Sequence, residues 1–435
     1  MIIIRIVVKF GGTSIQNIER IEKATQSIIK KIRAGNEILV VVSAMGDTTD
    51  ELINLLDGVT KSGYEGQDYT EFVSFGERMS AQLISTALKV KGTKARVFEP
   101  TSADFPLITD SVNLLEANIL PERSKEQCQK YIEPLLKEGI VPVICGFLGR
   151  SAEGGGITCL GRGGSDISAF ALGNFVHADE VIIVTDTSGV ASADPRLIKK
   201  VQTLPRISVE EMGILAEGGA RVLHPRALYF KEGNMKAKII NFENGDLDSD
   251  GTELEGSFNS GIEIFPEKLC LLTVVGEKIL ETPGLLKEII SPLARHKISI
   301  QGIGTGERYI GIYLLEQYAK KAYDLVHPII LKNNYLKSVS LKTNIALVIL
   351  SNRNFIETPG VIERVTRPLA ENHINILEIS TMKADILLFV DWPYKDIVYK
   401  LVSNSLAKME NNVNSNINSN LNEDITGENI PINIP

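Results

Sequence analysis

Short apolar runs alternate with longer segments of helical periodicity over residues 1–242, and this alternation limits the fold more than any other feature. Each run has the length of a strand that is buried on both faces. The predicted strands are Ile2–Val8, Ile38–Val42, Ala95–Phe98, Ile140–Cys145, Val181–Val184 and Lys238–Asn241. Strands that alternate with helices over this length predict an α/β domain with a mostly parallel sheet sandwiched by helices.

The glycine-rich turns of the chain lie at the ends of the predicted strands, before the helical segments that follow. The apolar side of the first predicted helix consists of Ile18, Ile21, Ile28, Ile29 and Ile32. That helix ends near Gly35, and the segments Glu77–Lys91 and Asp166–Val176 predict two more. Because parallel sheets bind ligands beyond the carboxyl ends of their strands, we expect the functional site there.

The tetrapeptide Glu-Thr-Pro-Gly occurs twice in the second half of the chain, at 281–284 and again at 357–360. The offset between the two copies also pairs Pro292-Leu293-Ala294 with Pro368-Leu369-Ala370, Ile298 with Ile374, Ile300 with Ile376 and Thr305 with Thr381. Each copy predicts a strand, a turn at the tetrapeptide, a helix and a second strand. We therefore predict two copies of one small supersecondary unit, beyond a polar boundary within 243–260.

Charge and cysteine content exclude several classes of protein. The chain has 46 basic and 54 acidic residues, a net charge of −8, which argues against a nucleic-acid-binding face. The four cysteines lie far apart without a CxxC pair, which excludes a zinc ribbon and indicates reduced thiols in the cytoplasm. The apolar start is one strand long, too short for a leader or anchor, and no run reaches the roughly 18 apolar residues of a membrane span.

The sequence KFGGTS at 9–14 directly follows the first predicted strand. Its two glycines let backbone N–H groups approach a phosphate, and the positive end of a helix comes next. Lys9 would place a point charge against phosphate oxygens. Taken alone, the motif fits an ordinary glycine turn with a solvated lysine equally well.

The sequence TCLGRGGSD at 158–166 opens another predicted helix. Its three glycines free the backbone to wrap around a ligand, and Arg162 offers a fork of donors to a carboxylate or phosphate. Asp166 occupies a predicted N-cap, which is a structural role. Because capping requires neither Arg162 nor three glycines, the motif favours ligand binding.

Polar residues follow other strands as well. Hydroxyls within 43–49 would suit a small polar substrate, and Glu77 lies at a predicted helix start, where a favourable contact with the helix dipole is the alternative. Thr185-Asp186, Arg196 and Arg221 would bracket a nucleotide, whereas His224 precedes a proline and is expected to pack. HxH, HExxH and GxSxG motifs do not occur. The absence of these motifs is compatible with phosphate transfer to a carboxylate. Such a transfer needs no general base, since an aspartate side chain of pKa about 3.9 is already ionised at pH 7.

Taken in order, these motifs resemble those of the aspartokinases of the amino acid kinase family. The matching segments are KFGGTS at 9–14, VVSAMGDTTD at 41–50, SFGERMSAQ at 74–82, GFLGRSAEGGGITCLGRGGSD at 146–166, TDTSGVASADPR at 185–196 and RVLHPRAL at 221–228. The repeated units resemble the tandem ACT domains of that family. The resemblance implies an amino acid kinase fold over 1–245 and two ferredoxin-like βαβ ACT modules over 262–335 and 340–408. The composition of 409–435, which is rich in asparagine, predicts a disordered tail.

This resemblance implies transfer of the γ-phosphoryl group of Mg·ATP to the β-carboxylate of L-aspartate, the first step of lysine, threonine and methionine biosynthesis. It implies catalytic roles for Lys9 and Asp166. The implied substrate-binding residues are Ser43, Thr49, Glu77, Arg162 and Ser165. The implied ATP-binding residues are Lys9, Gly11, Gly12, Thr13, Thr185, Asp186, Arg196 and Arg221. We expect Mg²⁺ to be held mainly through the ATP phosphates, and we predict no metal-binding residues of the chain itself.

The resemblance also implies feedback regulation, with lysine or threonine as effector and a homodimer or homotetramer assembled through the ACT domains. The predicted effector rim consists of Glu281, Gly284, Gln301 and Thr305. A second hypothesis is an amino-acid-sensing ACT protein with a weakened kinase domain, because Ala191 stands where relatives have a large residue and Arg221 replaces their usual lysine. Retention of Lys9, Arg162 and Asp166 favours the active enzyme.

Overall fold

The computed structural model describes residues 3–220, 222–244, 246–258, 260–352, 355, 359–382 and 384–419. The chain divides into two compact units, Met1–Phe258 and Asn259–Pro435. None of the helices in the described part of the chain is both long enough and apolar enough to cross a membrane.

The first unit contains eleven strands and eight helices among its described residues. The strands are β1 Arg5–Phe10, β2 Glu37–Val42, β3 Ala95–Phe98, β4 Ile108–Thr109, β5 Val141–Cys145, β6 Leu148–Ser151, β7 Ile157–Cys159, β8 Glu180–Thr185, β9 Arg206–Ser208, β10 Lys236–Asn241 and β11 Gly251–Glu255. The helices are α1 Ile18–Arg33, α2 Thr48–Thr60, α3 Gly66–Val90, α4 Pro121–Gln127, α5 Glu133–Lys137, α6 Gly164–Phe175, α7 Val209–Glu217 and α8 Pro225–Leu228.

An eight-stranded sheet in the order β3-β5-β2-β1-β8-β10-β11-β9 forms the centre of this unit. All its neighbouring strands are parallel except β10 and β11, which confirms the predicted mostly parallel sheet. The inner strands are continuous buried runs of Val, Ile and Leu, as expected for a sheet covered on both faces. A second, three-stranded sheet contains β4, β6 and β7.

The register of the central strands aligns their carboxyl ends. Phe10 at the end of β1 lies beside Val42 of β2 on one side and Val184 of β8 on the other. Val42 in turn lies beside Cys145, the last residue of β5. The turns that follow β1, β2, β5 and β8 therefore emerge in a row along one edge of the sheet.

Two predicted boundaries in this unit are wrong. Strand β1 covers Arg5–Phe10 and continues past its predicted end at Val8, because the ammonium of Lys9 has a buried carboxylate partner. Ile2, the predicted start of this strand, lies outside the described residues. Helix α3 begins at Gly66 and not at the predicted start, Glu77. Glu65 and Asp68 form a capping box at its N-terminus. The buried side of its first turns includes Thr70 and other small polar residues, so the sequence shows no apolar stripe there.

The second unit contains seven strands and four helices among its described residues. The strands are β12 Gly261–Ile264, β13 Leu269–Gly276, β14 Ile300–Gly306, β15 Tyr309–Leu315, β16 Leu336–Ser351, β17 Ile376–Met382 and β18 Asp385–Asp391. The helices are α9 Leu285–Arg295, α10 Ala319–Lys332, α11 Val361–Glu371 and α12 Lys395–Ser419.

The structural elements repeat at the same offset as the sequence. The first residues of α9 and α11, β14 and β17, β15 and β18, and α10 and α12 are separated by the spacing that separates the two tetrapeptides. Gly284 and Gly360 precede α9 and α11 with φ of +87° and +82°, a backbone conformation that only glycine adopts without strain. Glu357 and Thr358 of the second tetrapeptide lie outside the described residues.

The long strand β16 joins the two repeats in one seven-stranded sheet. Its first half pairs with β13, and its second half pairs with β18. The rings of Tyr313 and Phe389, which are equivalent positions of the two repeats, stack with centroids 3.9 Å apart. Strand β12 pairs antiparallel with Val348–Ser351 of β16, so the start of the predicted 262–335 segment pairs with the half of β16 that belongs to the second repeat.

Helix α12 extends into the segment predicted to be disordered, since it ends at Ser419 and the tail was predicted to begin at residue 409. Val402 and Leu406 are buried against the second repeat. In the sequence, Val413 and Ile417 continue their helical spacing. Residues 420–435 lie outside the described part of the chain.

Candidate active site

An ion pair lies at the carboxyl end of β1. Lys9 Nζ is 2.6 Å from Asp166 Oδ1, and both residues are buried. The predicted N-cap role of Asp166 is wrong, because Gly163 precedes α6 with φ of +71° and Asp166 is the third residue of the helix. A lysine held in this way keeps its position at the strand end, where it can meet the oxygens of an incoming phosphate.

The turns after β1 and β2 approach each other backbone to backbone. The N–H of Gly46 donates to the carbonyl of Gly12 at 3.0 Å, and a Cβ on Gly12 would lie 2.6 Å from the carbonyl oxygen of Ala44. Only glycine fits at position 12 without moving one of the turns. Ser14, which the sequence analysis did not single out, connects the turn after β1 to β8, since its buried hydroxyl donates to the carbonyl of Val184 at 3.2 Å.

Glu77 has a buried carboxyl group, of which only one oxygen accepts a hydrogen bond. It is 3% exposed, and its Oε1 accepts the backbone N–H of Ala44 at 3.1 Å. Oε2 is buried and has no hydrogen-bond partner among the described residues. Burial raises the pKa of Glu77 to about 7, while the hydrogen bond from Ala44 acts in the opposite direction. Such a group is prepared for a cationic ligand, which would supply the missing partner and favour the ionised form.

Arg162 projects from a turn that two glycines make possible. Gly161 and Gly163 flank it with φ of +74° and +71°, and Arg162 itself is exposed. Within the described residues, no hydrogen bond or ion pair holds its guanidinium. Arg226 holds this turn in place, because its guanidinium donates to the carbonyls of Leu160 at 2.9 Å and Ala117 at 3.1 Å. No sequence motif indicated that supporting role.

We expect Gly163→Ala to destabilise the protein more than Gly154→Ala does. Both glycines have positive φ, so each substitution costs about 1 kcal/mol of backbone strain. A Cβ at Gly163 would also lie 2.3 Å from Cβ of His224, whereas nothing lies within 4 Å of a Cβ at Gly154. Overpacking adds about 1–3 kcal/mol. Urea denaturation of both variants measures the difference, and equal losses would contradict the close contact with His224.

The remaining predicted substrate-binding residues lie in segments that follow the central strands or begin the next helix. Ser43 follows β2 and donates its N–H to the carbonyl of Phe10 at 3.1 Å, which places it beside the turn after β1. Ser165 is buried in the first turn of α6, and a Cβ on Gly146, after β5, would lie 3.0 Å from its Cβ. Thr49 lies in the first turn of α2 and is half-buried.

The predicted nucleotide residues are only partly grouped. Thr185 and Asp186 lie at the end of β8, next to β1, and the Thr185 hydroxyl donates to Asp186 Oδ1 at 3.2 Å. Arg196 is instead engaged on an exposed loop, where its guanidinium is 2.7 Å from Asp194 Oδ2. Arg221 lies outside the described residues.

The predicted effector residues belong to the second unit. Gln301 and Thr305 lie on β14, at the edge of the seven-stranded sheet, and Glu281 and Gly284 are exposed before α9. Across the described residues of both units, no group of three or more His, Cys, Asp and Glu side chains is arranged to hold a metal ion.

Known proteins resemble the chain over most of its length. The amino acid kinase family matches residues 5–241, and the ACT domain family matches residues 340–403. The aspartokinase of Geobacillus stearothermophilus is 32% identical over 399 residues, which cover 89% of this chain and 94% of the relative. The aspartokinase of Helicobacter pylori strain J99 is 30% identical over 410 residues, which cover 91% of this chain and 97% of the relative.

Solved structures show the same similarity. The aspartate kinase from Synechocystis superposes with a TM-score of 0.75 at 27% identity, covering 93% of this chain and 69% of that one. The E. coli aspartokinase III in complex with aspartate and ADP shares the fold with a TM-score of 0.51 at 24% identity, covering 92% of this chain and 99% of that one.

Proposed function

Because the chain belongs to the aspartokinases of the amino acid kinase family, and is therefore an ATP-dependent aspartate kinase, we propose that it transfers the γ-phosphoryl group of ATP to the β-carboxylate of L-aspartate. The product is 4-phospho-L-aspartate, which enters lysine, threonine and methionine biosynthesis. The buried pair of Lys9 and Asp166 at the carboxyl ends of the central strands is the observation that carries this proposal.

The reaction brings a carboxylate anion to a polyanionic triphosphate, so its main barrier is electrostatic. Lys9 stabilises the charge on the transferred phosphoryl group, and Asp166 fixes the direction of its ammonium. Backbone N–H groups of the turns after β1 and β2 add dipoles at the same strand ends. No side chain has to remove a proton, because the attacking carboxylate of the substrate is already ionised.

Two groups support an amino acid with a free α-amino group as the phosphate acceptor. The unpartnered oxygen of Glu77 would accept hydrogen bonds from the substrate ammonium, and the exposed guanidinium of Arg162 would bind a substrate carboxylate. An N-acylated amino acid has no ammonium and would leave the Glu77 carboxyl without a partner. This argues against an acetylglutamate kinase, and the arginine argues against a carbamate kinase.

The residues around Lys9 fit ATP with its magnesium ion. A Cβ on Gly11 would lie 3.6 Å from Lys9 Nζ, so glycine at this position keeps the space beside the ammonium open. Mg²⁺ would be held mainly through the phosphates of the nucleotide. When bound, the ion would neutralise phosphate charge. Gly11, Gly12, Thr13, Thr185 and Asp186 are the proposed nucleotide contacts, and Arg196 and Arg221 are retained as weaker candidates.

We also propose that the enzyme acts in the cytoplasm, is feedback-regulated and assembles through its ACT domains as a homodimer or homotetramer. Lysine or threonine would bind near Glu281, Gly284, Gln301 and Thr305. Isothermal titration with each amino acid tests this regulation, and the absence of heat with both would exclude these two effectors.

Trapping with hydroxylamine tests the proposed reaction. We expect aspartyl hydroxamate to form only when the protein, L-aspartate and Mg·ATP are all present, because the acyl phosphate is the species that hydroxylamine attacks. N-acetyl-L-glutamate in place of aspartate is the control and should give no hydroxamate. Absence of product with aspartate would favour the amino-acid sensor over the enzyme.

A further inference from the structure

The guanidinium of Arg20 joins the turn after β1 to the residues that follow β10. Arg20 lies in the first turn of α1, where the side chain of the N-cap Asn17 accepts its backbone N–H at 2.9 Å. The guanidinium donates to the carbonyl of Thr13 and lies 2.6 Å from Oε1 of Glu243. Because Arg20 and Glu243 are separated by 223 residues, this side chain connects two distant parts of the sequence.

Two cations of α1 also contact the aromatic ring beside Glu243. The Cζ atom of Arg20 is 5.2 Å from the centroid of the Phe242 ring, and the Nζ atom of Lys23 is 5.0 Å from it. Lys23 donates as well to the backbone carbonyl of Glu243 at 2.8 Å. Phe242 is buried, so apolar packing and cation–π contacts together fix the position of Glu243 against α1.

Asn241 joins the same residues to the turn after β8. It is the last residue of β10, and its Oδ1 accepts the backbone N–H of Glu243 at 2.7 Å. Its Nδ2 donates to the hydroxyl of Ser188 at 3.2 Å and to the backbone carbonyl of Asp186 at 3.4 Å. The oxygen and the nitrogen of this amide therefore bind two different segments. A continuous series of contacts runs from the turn after β1 to the turn after β8.

We propose that Arg20 and Asn241 are positioning residues, which hold the turns after β1 and β8 at the separation that the nucleotide requires. The inference rests on the proposed function, because Thr13 and Asp186 are nucleotide contacts only in that proposal. Glu243 is the common partner of both positioning residues, so removal of either one breaks the same connection. Neither side chain has to touch the nucleotide or the reacting atoms.

The backbone of the sheet alone does not make this connection. The N–H of Gly11 donates to the carbonyl of Val184 at 3.0 Å, but this bond lies at the strand ends, before Thr13 and Asp186. Among the described residues, no hydrogen bond joins Thr13 directly to Asp186. The separation of these two residues therefore depends on the contacts through Glu243. The proposed aspartate contacts lie on other turns and helices, so we expect an effect that is specific to the nucleotide.

Kinetics and nucleotide binding of two alanine variants test the inference. We expect Arg20→Ala and Asn241→Ala each to raise the KM of ATP and the Kd of Mg·ADP about tenfold, because a small misplacement of binding groups is costly. The KM of aspartate should change less than about twofold. Since both residues act through Glu243, the double variant should bind Mg·ADP no more than about twofold more weakly than the weaker single variant. Isothermal titration of the full chain with Mg·ADP measures binding.

Lys30→Ala is the matched control. Lys30 also lies on α1 and pairs with Asp246 and Asp248, a few residues beyond Glu243, but these ion pairs reach neither turn. We expect this variant to keep the wild-type KM of ATP and Kd of Mg·ADP. Equal increases in both KM values, wild-type binding of Mg·ADP by the single variants, or additive losses in the double variant would overturn the inference. Absence of hydroxamate from the wild type would instead contradict the proposed reaction, because nucleotide binding is measured independently of it.

Discussion

Lys9→Ala is expected to lower kcat by a factor of about 10² or more, with a much smaller effect on the KM values of ATP and aspartate. Lys9 is the buried cation at the carboxyl ends of the central strands, and its charge opposes the negative charge that builds up during phosphoryl transfer. Removal of one such preorganised electrostatic group costs about 10²–10³ in rate. Steady-state kinetics with both substrates measures the effect.

Lys231→Ala is the matched control for this substitution. Lys231 is also a buried lysine of the first unit, but its ammonium donates to the backbone carbonyls of Glu232 and Gly256, each at 2.8 Å. We expect its loss to reduce stability and to leave kcat nearly unchanged. If folded Lys9→Ala turned over within threefold of the wild type, the role assigned to Lys9 would be wrong.

Glu77→Gln is expected to raise the KM of aspartate about 10- to 100-fold and to leave the KM of ATP nearly unchanged. The unpartnered Oε2 of Glu77 is the proposed contact of the substrate ammonium, and hydrogen bonds to charged groups contribute about 1.5–3 kcal/mol. Glu51→Gln is the control, because Glu51 is an exposed carboxylate on the neighbouring helix α2. Equal increases in both KM values would remove Glu77 from the aspartate pocket.

The same substitution should change how stability depends on pH. Burial raises the pKa of Glu77 from an ordinary value of 4.5 to about 7 in the folded protein. Between these two values the folded state holds a proton that the unfolded state has released, so wild-type stability falls as pH rises through this window. Glu77→Gln removes this loss. Without substrates, the variant should match the wild type near pH 4.5 and exceed it by at most about 3 kcal/mol near pH 8.

Denaturation of wild type and Glu77→Gln across pH 4.5–8 tests that expectation. Added aspartate should lower the pKa of Glu77 in the wild type, because an ammonium beside a carboxyl group favours its ionised form. A difference between the two proteins that does not change with pH would contradict the assigned pKa.

The main features of the first unit followed from local patterns in the sequence. Buried Val and Ile runs identified the inner strands, and glycine motifs after them identified the edge of the sheet where Lys9 and Asp166 meet. These features are local, because a parallel strand covered on both faces is apolar throughout. The roles of Lys9 and Asp166 came from resemblance to a family and not from periodicity, and their ion pair joins residues that are far apart in the sequence.

Features that depend on tertiary contacts could not be predicted in this way. The start of α3 was missed because buried polar residues such as Thr70 and Glu77 interrupt its apolar side. The orphan oxygen of Glu77 depends on how closely the turn at Ala44 approaches the helix, and the support of the Arg162 turn by Arg226 depends on contacts with distant parts of the sequence. Such distances are set by tertiary packing and cannot be predicted from the local amino-acid composition.

The pairing of β12 with the far half of β16 has a consequence for synthesis of the chain. Ile264 leaves the ribosome long before Val348, the residue it pairs with, because all of the first repeat from β13 to α10 lies between them in sequence. At about 5–20 residues per second, β12 waits roughly 4–17 seconds for its place in the sheet. The strands and helices from β13 to α10 can assemble meanwhile, so the first repeat closes before the strand that precedes it is paired. During this interval β12 is an open edge on which neighbouring nascent chains could add a strand.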